Sequence, residues 1–63
     1  MRNILKETRI EKHLSQADLS KKSGVSRTII SQIENNDDLS LRISTLEKLC
    51  KVLNKKISDV FFI

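Results

Sequence analysis

Proline, tryptophan and tyrosine are absent from this chain of 63 residues, and glycine, cysteine and histidine each occur once. A single cysteine excludes an internal disulfide, and one cysteine with one histidine falls short of the usual metal-ligand clusters. Phe61 and Phe62 are the only aromatic residues, so the chain lacks the stacking platform of single-strand nucleic-acid binders. No apolar run approaches the ~20 residues of a membrane-spanning helix, and the N-terminus has no signal-peptide core. We therefore expect a cytoplasmic protein with no membrane partner.

The residues that are present indicate a folded, basic domain. Charged residues make up 32% of the chain and apolar residues 38%, and the formal net charge is +4. This balance is typical of a globular domain rather than a disordered segment. The length allows a single small domain, residues 1–63, with a modest core. The positive charge is compatible with a nucleic-acid partner.

No arrangement of residues indicates catalysis. His13 and Cys50 lie in different predicted elements, and no acid–base or metal-ligand group accompanies either of them. We expect His13 to be a loop residue, and Cys50 to be a buried thiol because its segment has apolar periodicity. The sequence therefore predicts no enzyme activity, no metal and no cofactor.

Apolar residues recur at helical spacing almost throughout the chain, which predicts five short helices. The first places Leu5, Thr8, Arg9 and Ile10 on its inner face, and Asn54 ends the fourth in a left-handed conformation. The predicted segments are residues 3–12, 15–23 and 26–35, a fourth helix capped by Ser44, and a last turn over residues 58–62.

Local sequence marks several helix ends. Ser15 begins SQAD, which has the form of an N-terminal capping box. Gly24 ends the second helix because glycine adopts the left-handed conformation without steric cost. Ser26 is suited to cap the third helix, and Ser44 with Glu47 is predicted to form a second capping box at the start of the fourth.

The segment QADLSKKSGVSRTIISQIEN, residues 16–35, contains the second and third helices with the glycine between them. Two short helices joined by a glycine-containing turn make the helix-turn-helix plan. This segment closely resembles the helix-turn-helix of the phage Cro/repressor family, also called XRE-type regulators. The flanks LKETRIEKHLSQ and STLEKLCKVLNKKISDVF agree as well, so the resemblance covers residues 3–61. It implies an all-α, compact five-helix lambda-repressor-like domain that binds DNA.

The resemblance also implies that the third helix lies in the major groove of double-stranded DNA. Arg27 suits guanine O6 and N7, and Gln32 suits adenine N6 and N7. Ile29 would either pack against the fourth helix or meet a thymine methyl group. Carried over position by position, the base-contacting residues are Ser26, Arg27, Thr28, Ser31 and Gln32. The phosphate-contacting residues are Gln16, Asn35 and Asn36.

Other family positions are matched or replaced. Arg9 and Glu34 match a salt bridge that ties the first helix to the end of the third, and we expect its role to be structural. His13 stands where the family usually has glycine, so a left-handed backbone there would be strained by roughly 1 kcal/mol. Asn36 also replaces a glycine, and Thr8 replaces a leucine of the core.

The loop after the third helix is acidic. Asp37 and Asp38 stand where the family often has lysine or arginine, so they should weaken contact with DNA phosphates. Alternatively, this loop is simply solvated or faces a protein partner.

One helix reads few base pairs, so the resemblance implies a homodimer on a pseudo-palindromic operator with half-sites about 34 Å apart. Candidate dimer residues are Leu39, Leu41, Phe62 and Ile63, which would otherwise finish the core. The expected function is a transcriptional regulator, specifically a repressor. The alternatives are an antitoxin-type module that binds a toxin and autoregulates its operon, and a controller protein of a restriction–modification system.

Overall fold

The computed structural model of the chain describes residues 2–35 and 41–62. Within these ranges, five helices and one antiparallel ribbon of two short strands enclose a common core. In chain order the elements are β1 (Arg2–Asn3), α1 (Leu5–Glu11), α2 (Gln16–Ser23), α3 (Arg27–Asn35), α4 (Ile43–Leu53), α5 (Ile57–Val60) and β2 (Phe61–Phe62). The predicted all-α, five-helix architecture is confirmed, and the ribbon is an addition that helical periodicity did not predict.

The core takes side chains from every helix. Its largest fully buried residues are Leu5, Leu19, Ile30, Ile33, Leu46, Leu49, Leu53 and Val60. Complete burial of a leucine or isoleucine side chain contributes about 1.5–3 kcal/mol, so these residues supply most of the packing energy of a small domain. Cys50 belongs to the same cluster. Burial, together with the charge of Asp59, raises the pKa of the Cys50 thiol, in agreement with the predicted core position.

The inner face of α1 is more polar than expected. Leu5, Thr8 and Arg9 are buried, whereas Ile10 is 54% exposed, so the prediction that Ile10 faces inward is wrong. Residues i, i+3 and i+4 share one side of a helix, and Ile10 lies off the side that Leu5 defines. The hydroxyl of Thr8 donates to the carbonyl oxygen of Ile4 at 2.8 Å, which satisfies its buried polar atom.

Local chemistry defines both ends of α2. The backbone N–H of Asp18 donates to Ser15 Oγ at 2.9 Å, and the N–H of Ser15 donates to Asp18 Oδ2 at 3.0 Å. These two hydrogen bonds form the predicted capping box, and the backbone bond is the main reason that the pKa of Asp18 is lowered. Gly24 has φ 78°, a left-handed conformation that ends the helix. Asn54 (φ 55°) is left-handed as predicted, and His13 (φ 59°) also adopts the left-handed conformation, for which the sequence implied strain.

The start of α4 differs from its prediction. The helix begins at Ile43 after Arg42, and no side chain caps it. The carbonyl oxygen of Arg42 accepts the first helical hydrogen bonds, from the N–H groups of Thr45 and Leu46. Ser44 therefore lies inside the first turn, and the predicted capping box with Glu47 is wrong.

Both ends of the chain differ from the predicted helices because they pair with each other. β1 and β2 are antiparallel, with Arg2 opposite Phe62 and Asn3 opposite Phe61. Helix α5 accordingly ends at Val60, and α1 begins at Leu5 rather than at Asn3. Aromatic side chains favour strands, and the N-terminal segment provides the strand with which Phe61 and Phe62 pair.

Replacing Gly24 by alanine should lower the free energy of unfolding by about 1 kcal/mol, because a left-handed backbone is strained in an L-residue. A Cβ at this position meets nothing within 4 Å, so the cost comes from the backbone alone. Gly24→Asn is the control and should cost less, since asparagine tolerates this conformation. Urea denaturation measures both variants. An alanine variant as stable as the parent would contradict the assigned turn.

Stability should decrease under acid conditions partly through Asp18. Its pKa is lower in the folded protein than in the unfolded chain, so its contribution is complete above the ordinary carboxyl pKa near 4 and is lost as the pH falls through the lower, folded value. Asp18→Asn should flatten the stability profile in this acid range. Unfolding free energies measured from neutral pH to about pH 3 test this, and an unchanged acid slope would contradict it.

Candidate nucleic-acid interface

Polar side chains of α2 and α3 surround an open cleft of about 410 Å³. Its lining residues are Gln16, Arg27, Thr28, Ser31 and Gln32. Gln16 is the first residue of α2, and the other four lie on the outward side of α3. Ile30 and Ile33 occupy the opposite side of α3 and are buried in the core. The fold thus brings together four of the residues predicted to contact bases and one predicted to contact phosphate.

The chemistry of this cleft suits base edges. Arg27 is the only charged residue among the five that line it, while the others offer amide and hydroxyl groups that both donate and accept hydrogen bonds. The edges of base pairs in the major groove present such mixed donors and acceptors, whereas phosphates only accept. The nine residues of α3 make a helix about 13 Å long and about 10–12 Å in diameter, and a major groove about 12 Å wide admits that diameter.

Two residues near the start of α3 have structural roles. Ser26 is exposed, and its Oγ accepts a hydrogen bond from the N–H of Ile29 at 3.1 Å. This contact caps the helix, and Ser26 Oγ retains its hydroxyl hydrogen and one lone pair for another partner. Ile29 is half-buried and packs against the core.

The side chain of Asn35 is turned back onto its own helix. Its Nδ2 donates to the carbonyl oxygen of Ser31 at 2.9 Å and lies 3.4 Å from Ser31 Oγ. A phosphate contact from Asn35 would therefore compete with these local hydrogen bonds. Asn36, Asp37 and Asp38 lie outside the described residues.

The carboxylate of Glu34 accepts hydrogen bonds from two other helices. Arg9 Nε donates to Glu34 Oε2 at 2.8 Å, and Arg9 Nη2 donates to Oε1 at 3.1 Å. Gln16 Nε2 donates to Oε1 at 3.1 Å. The hydrogen bond to Glu34 is the main reason that the pKa of Arg9 is raised, so the guanidinium stays charged. The hydrogen bonds to Glu34 thus connect α1 and α2 to α3.

Sequence reasoning missed three hydrogen bonds that connect the elements around the cleft. They are the Gln16–Glu34 hydrogen bond, a hydrogen bond from Arg9 Nη1 to the carbonyl oxygen of Leu14 at 2.8 Å, and one from Asn3 Nδ2 to the carbonyl oxygen of Ile33 at 3.0 Å. Each joins residues of different elements or a helix to the turn that follows it. Helical periodicity contains no signal for such contacts.

The candidate dimer residues occupy different environments. Leu41 is half-buried and packs against the core, while Phe62 in β2 is 40% exposed. Leu39 and Ile63 lie outside the described residues.

A second open cleft, of about 470 Å³, lies where α4 meets α5. Its lining residues are Cys50, Lys51, Asn54, Lys55, Lys56 and Asp59. The three lysines lie at or just beyond the C-terminal end of α4, where cations interact favourably with the helix dipole. Asp59 accepts a hydrogen bond from the backbone N–H of Lys56. These local roles account for its charged residues, and the cleft shares no lining residue with the first.

Over residues 2–35 and 41–62, no group of three or more histidine, cysteine, aspartate or glutamate residues could hold a metal ion. No helix in the same ranges is long and apolar enough to cross a membrane.

The fold and the cleft define a helix-turn-helix protein whose two helices are α2 and α3. Comparison with known proteins agrees: the model of the family described as "Helix-turn-helix" matches residues 5–60. The chain is also 44% identical, over 62 residues, to a Methanocaldococcus jannaschii protein named "Uncharacterized HTH-type transcriptional regulator MJ0272". That alignment covers 97% of this chain and 91% of the relative. The chain therefore belongs to the helix-turn-helix family of DNA-binding transcriptional regulators of the Cro/C1 (XRE) type.

Proposed function

We propose that this protein binds an operator in double-stranded DNA sequence-specifically and represses transcription, with α3 in the major groove. The observation that carries the proposal is the cleft lined by Gln16 and by four outward residues of α3. A domain bound to DNA excludes other proteins from the same base pairs, so repression requires no further contact. The protein would act in the cytoplasm as one domain, residues 1–63, without catalysis.

The proposed contacts divide into bases and backbone. Ser26, Arg27, Thr28, Ser31 and Gln32 would face base edges. Gln16 would contact a phosphate with the help of the positive end of α2, and Asn35 and Asn36 would extend this contact at the end of α3. For Asn35, the contact would compete with the hydrogen bonds from its amide to Ser31.

We also propose that two copies bind as a two-fold dimer. Ile4 and Phe62 are each 40% exposed. Phe62 lies opposite Arg2 in the ribbon, and Ile4 directly follows β1, with its N–H donating to the carbonyl oxygen of Val60, so both exposed side chains belong to the region where the two strands pair. Exposed apolar side chains grouped in this way favour association between proteins.

Selection of bound duplexes from a random pool tests the proposed function. We expect enrichment of an inverted repeat whose half-sites are separated by about one turn of DNA. The affinity for this repeat should fall steeply with salt, because phosphate contacts release counterions. A single enriched half-site would contradict the dimer. Binding without any sequence enrichment at physiological salt would contradict specific regulation.

Arg27→Ala should weaken binding to the selected duplex by about 1–3 kcal/mol and relax specificity at one position in each half-site. The reason is the loss of a bidentate contact with guanine. Lys55→Ala removes one positive charge from the second cleft and serves as the control, since it should leave base preference unchanged. Repeating the selection with each variant measures both effects. Equal weakening on every sequence would make Arg27 a phosphate contact instead.

A further inference from the structure

The side chain of Glu34 is buried, and a hydrogen bond connects it to one of the residues that line the cleft. Its side chain is 2% exposed, so it cannot contact DNA directly in this conformation. It nevertheless accepts a hydrogen bond from Gln16 Nε2, and Gln16 lines the cleft beside Arg27. The carboxylate therefore lies beneath the cleft and accepts a hydrogen bond from one of the lining residues.

A carboxylate determines which way a glutamine amide points. An ionised carboxylate only accepts hydrogen bonds, so Gln16 must present its NH₂ group to Glu34. One N–H is then used inside the protein, and the second N–H and the carbonyl oxygen remain for a ligand. Phosphate oxygens also only accept, so the remaining N–H is the group that can bind them.

Arg9 keeps this carboxylate in place. It donates twice to Glu34 and a third time to the carbonyl oxygen of Leu14. Two parallel hydrogen bonds from one guanidinium fix the plane of a carboxylate as well as its position. The oxygen that accepts from Gln16 is thus held in a fixed place relative to the start of α2.

We propose that Glu34 is a positioning residue for DNA binding, because it holds the amide of Gln16 in the orientation that meets a phosphate. This inference rests on the proposed function and adds a role to a pair that otherwise joins helices. A free glutamine side chain has several rotamers and would lose that freedom on binding. Glu34 restricts it before DNA arrives, so less entropy is lost in the complex.

A double-mutant cycle between Gln16 and Glu34 tests the proposal. The variants are Gln16→Ala, Glu34→Gln and the two together, and the probe is the inverted-repeat duplex selected with the parent protein. Glu34→Gln keeps the size of the side chain but lets an amide NH₂ face Gln16 or Arg9. Each single variant should weaken binding about fivefold, and the double variant should also weaken it about fivefold rather than about 25-fold.

Gln32 provides a matched control, because it is a glutamine of the same cleft, whereas the described side chains that donate to Glu34 are those of Arg9 and Gln16. Gln32→Ala combined with Glu34→Gln should multiply the two separate losses. A merely structural role for Glu34 would couple equally to both glutamines. Multiplicative losses in the Gln16 cycle, or equal coupling in the two cycles, would overturn the proposal.

A second measurement covers the case in which Glu34→Gln does not fold. In the parent protein, the side-chain amide protons of Gln16 should exchange with solvent more slowly than those of Gln32, and this protection should persist when the selected duplex is bound. An unprotected Gln16 amide would overturn the proposal. A parent protein that selects no duplex would instead contradict the proposed function, so the two failures are distinguishable.

Discussion

The contact between the carboxylate of Glu34 and the guanidinium of Arg9 determines how the helix-turn-helix is oriented on the rest of the domain. Both groups are charged and largely removed from water. Loss of one partner from such a pair costs about 3–5 kcal/mol, because the other charge stays buried without compensation. The pair also connects to Gln16 and to the carbonyl oxygen of Leu14. One electrostatic contact therefore sets the end of α1, the start of α2 and the end of α3 relative to one another.

This arrangement lets α3 serve the core and the interface at the same time. Ile30 and Ile33 on its inner side are fully buried, and the polar residues of its outer side line the open cleft. Substitutions of exposed residues away from caps and buried contacts usually change stability by less than about 0.5 kcal/mol. Arg27, Thr28 and Gln32 are exposed, so base preference can change in this fold while the packing of α3 is kept.

Features that depend on neighbouring residues along the chain were predictable. Ser15 with Asp18 and the left-handed Gly24 and Asn54 define helix ends through chemistry within a few residues. The prediction at Ser44 failed although its local pattern was equally good, since the helix began earlier from the carbonyl oxygen of Arg42. A capping pattern thus indicates a possible helix start, and competition with neighbouring starts decides whether it is used.

The sequence by itself determined the class of fold and which side chains of α3 face outward, because helical periodicity places the apolar Ile30 and Ile33 on one side of the helix and the polar residues on the other. The pairing of Arg2–Asn3 with Phe61–Phe62, and the hydrogen bond between Gln16 and Glu34, were decided only by the tertiary structure. Both join residues far apart in the chain. Their geometry depends on how the helices pack, and no spacing rule within one element contains that information.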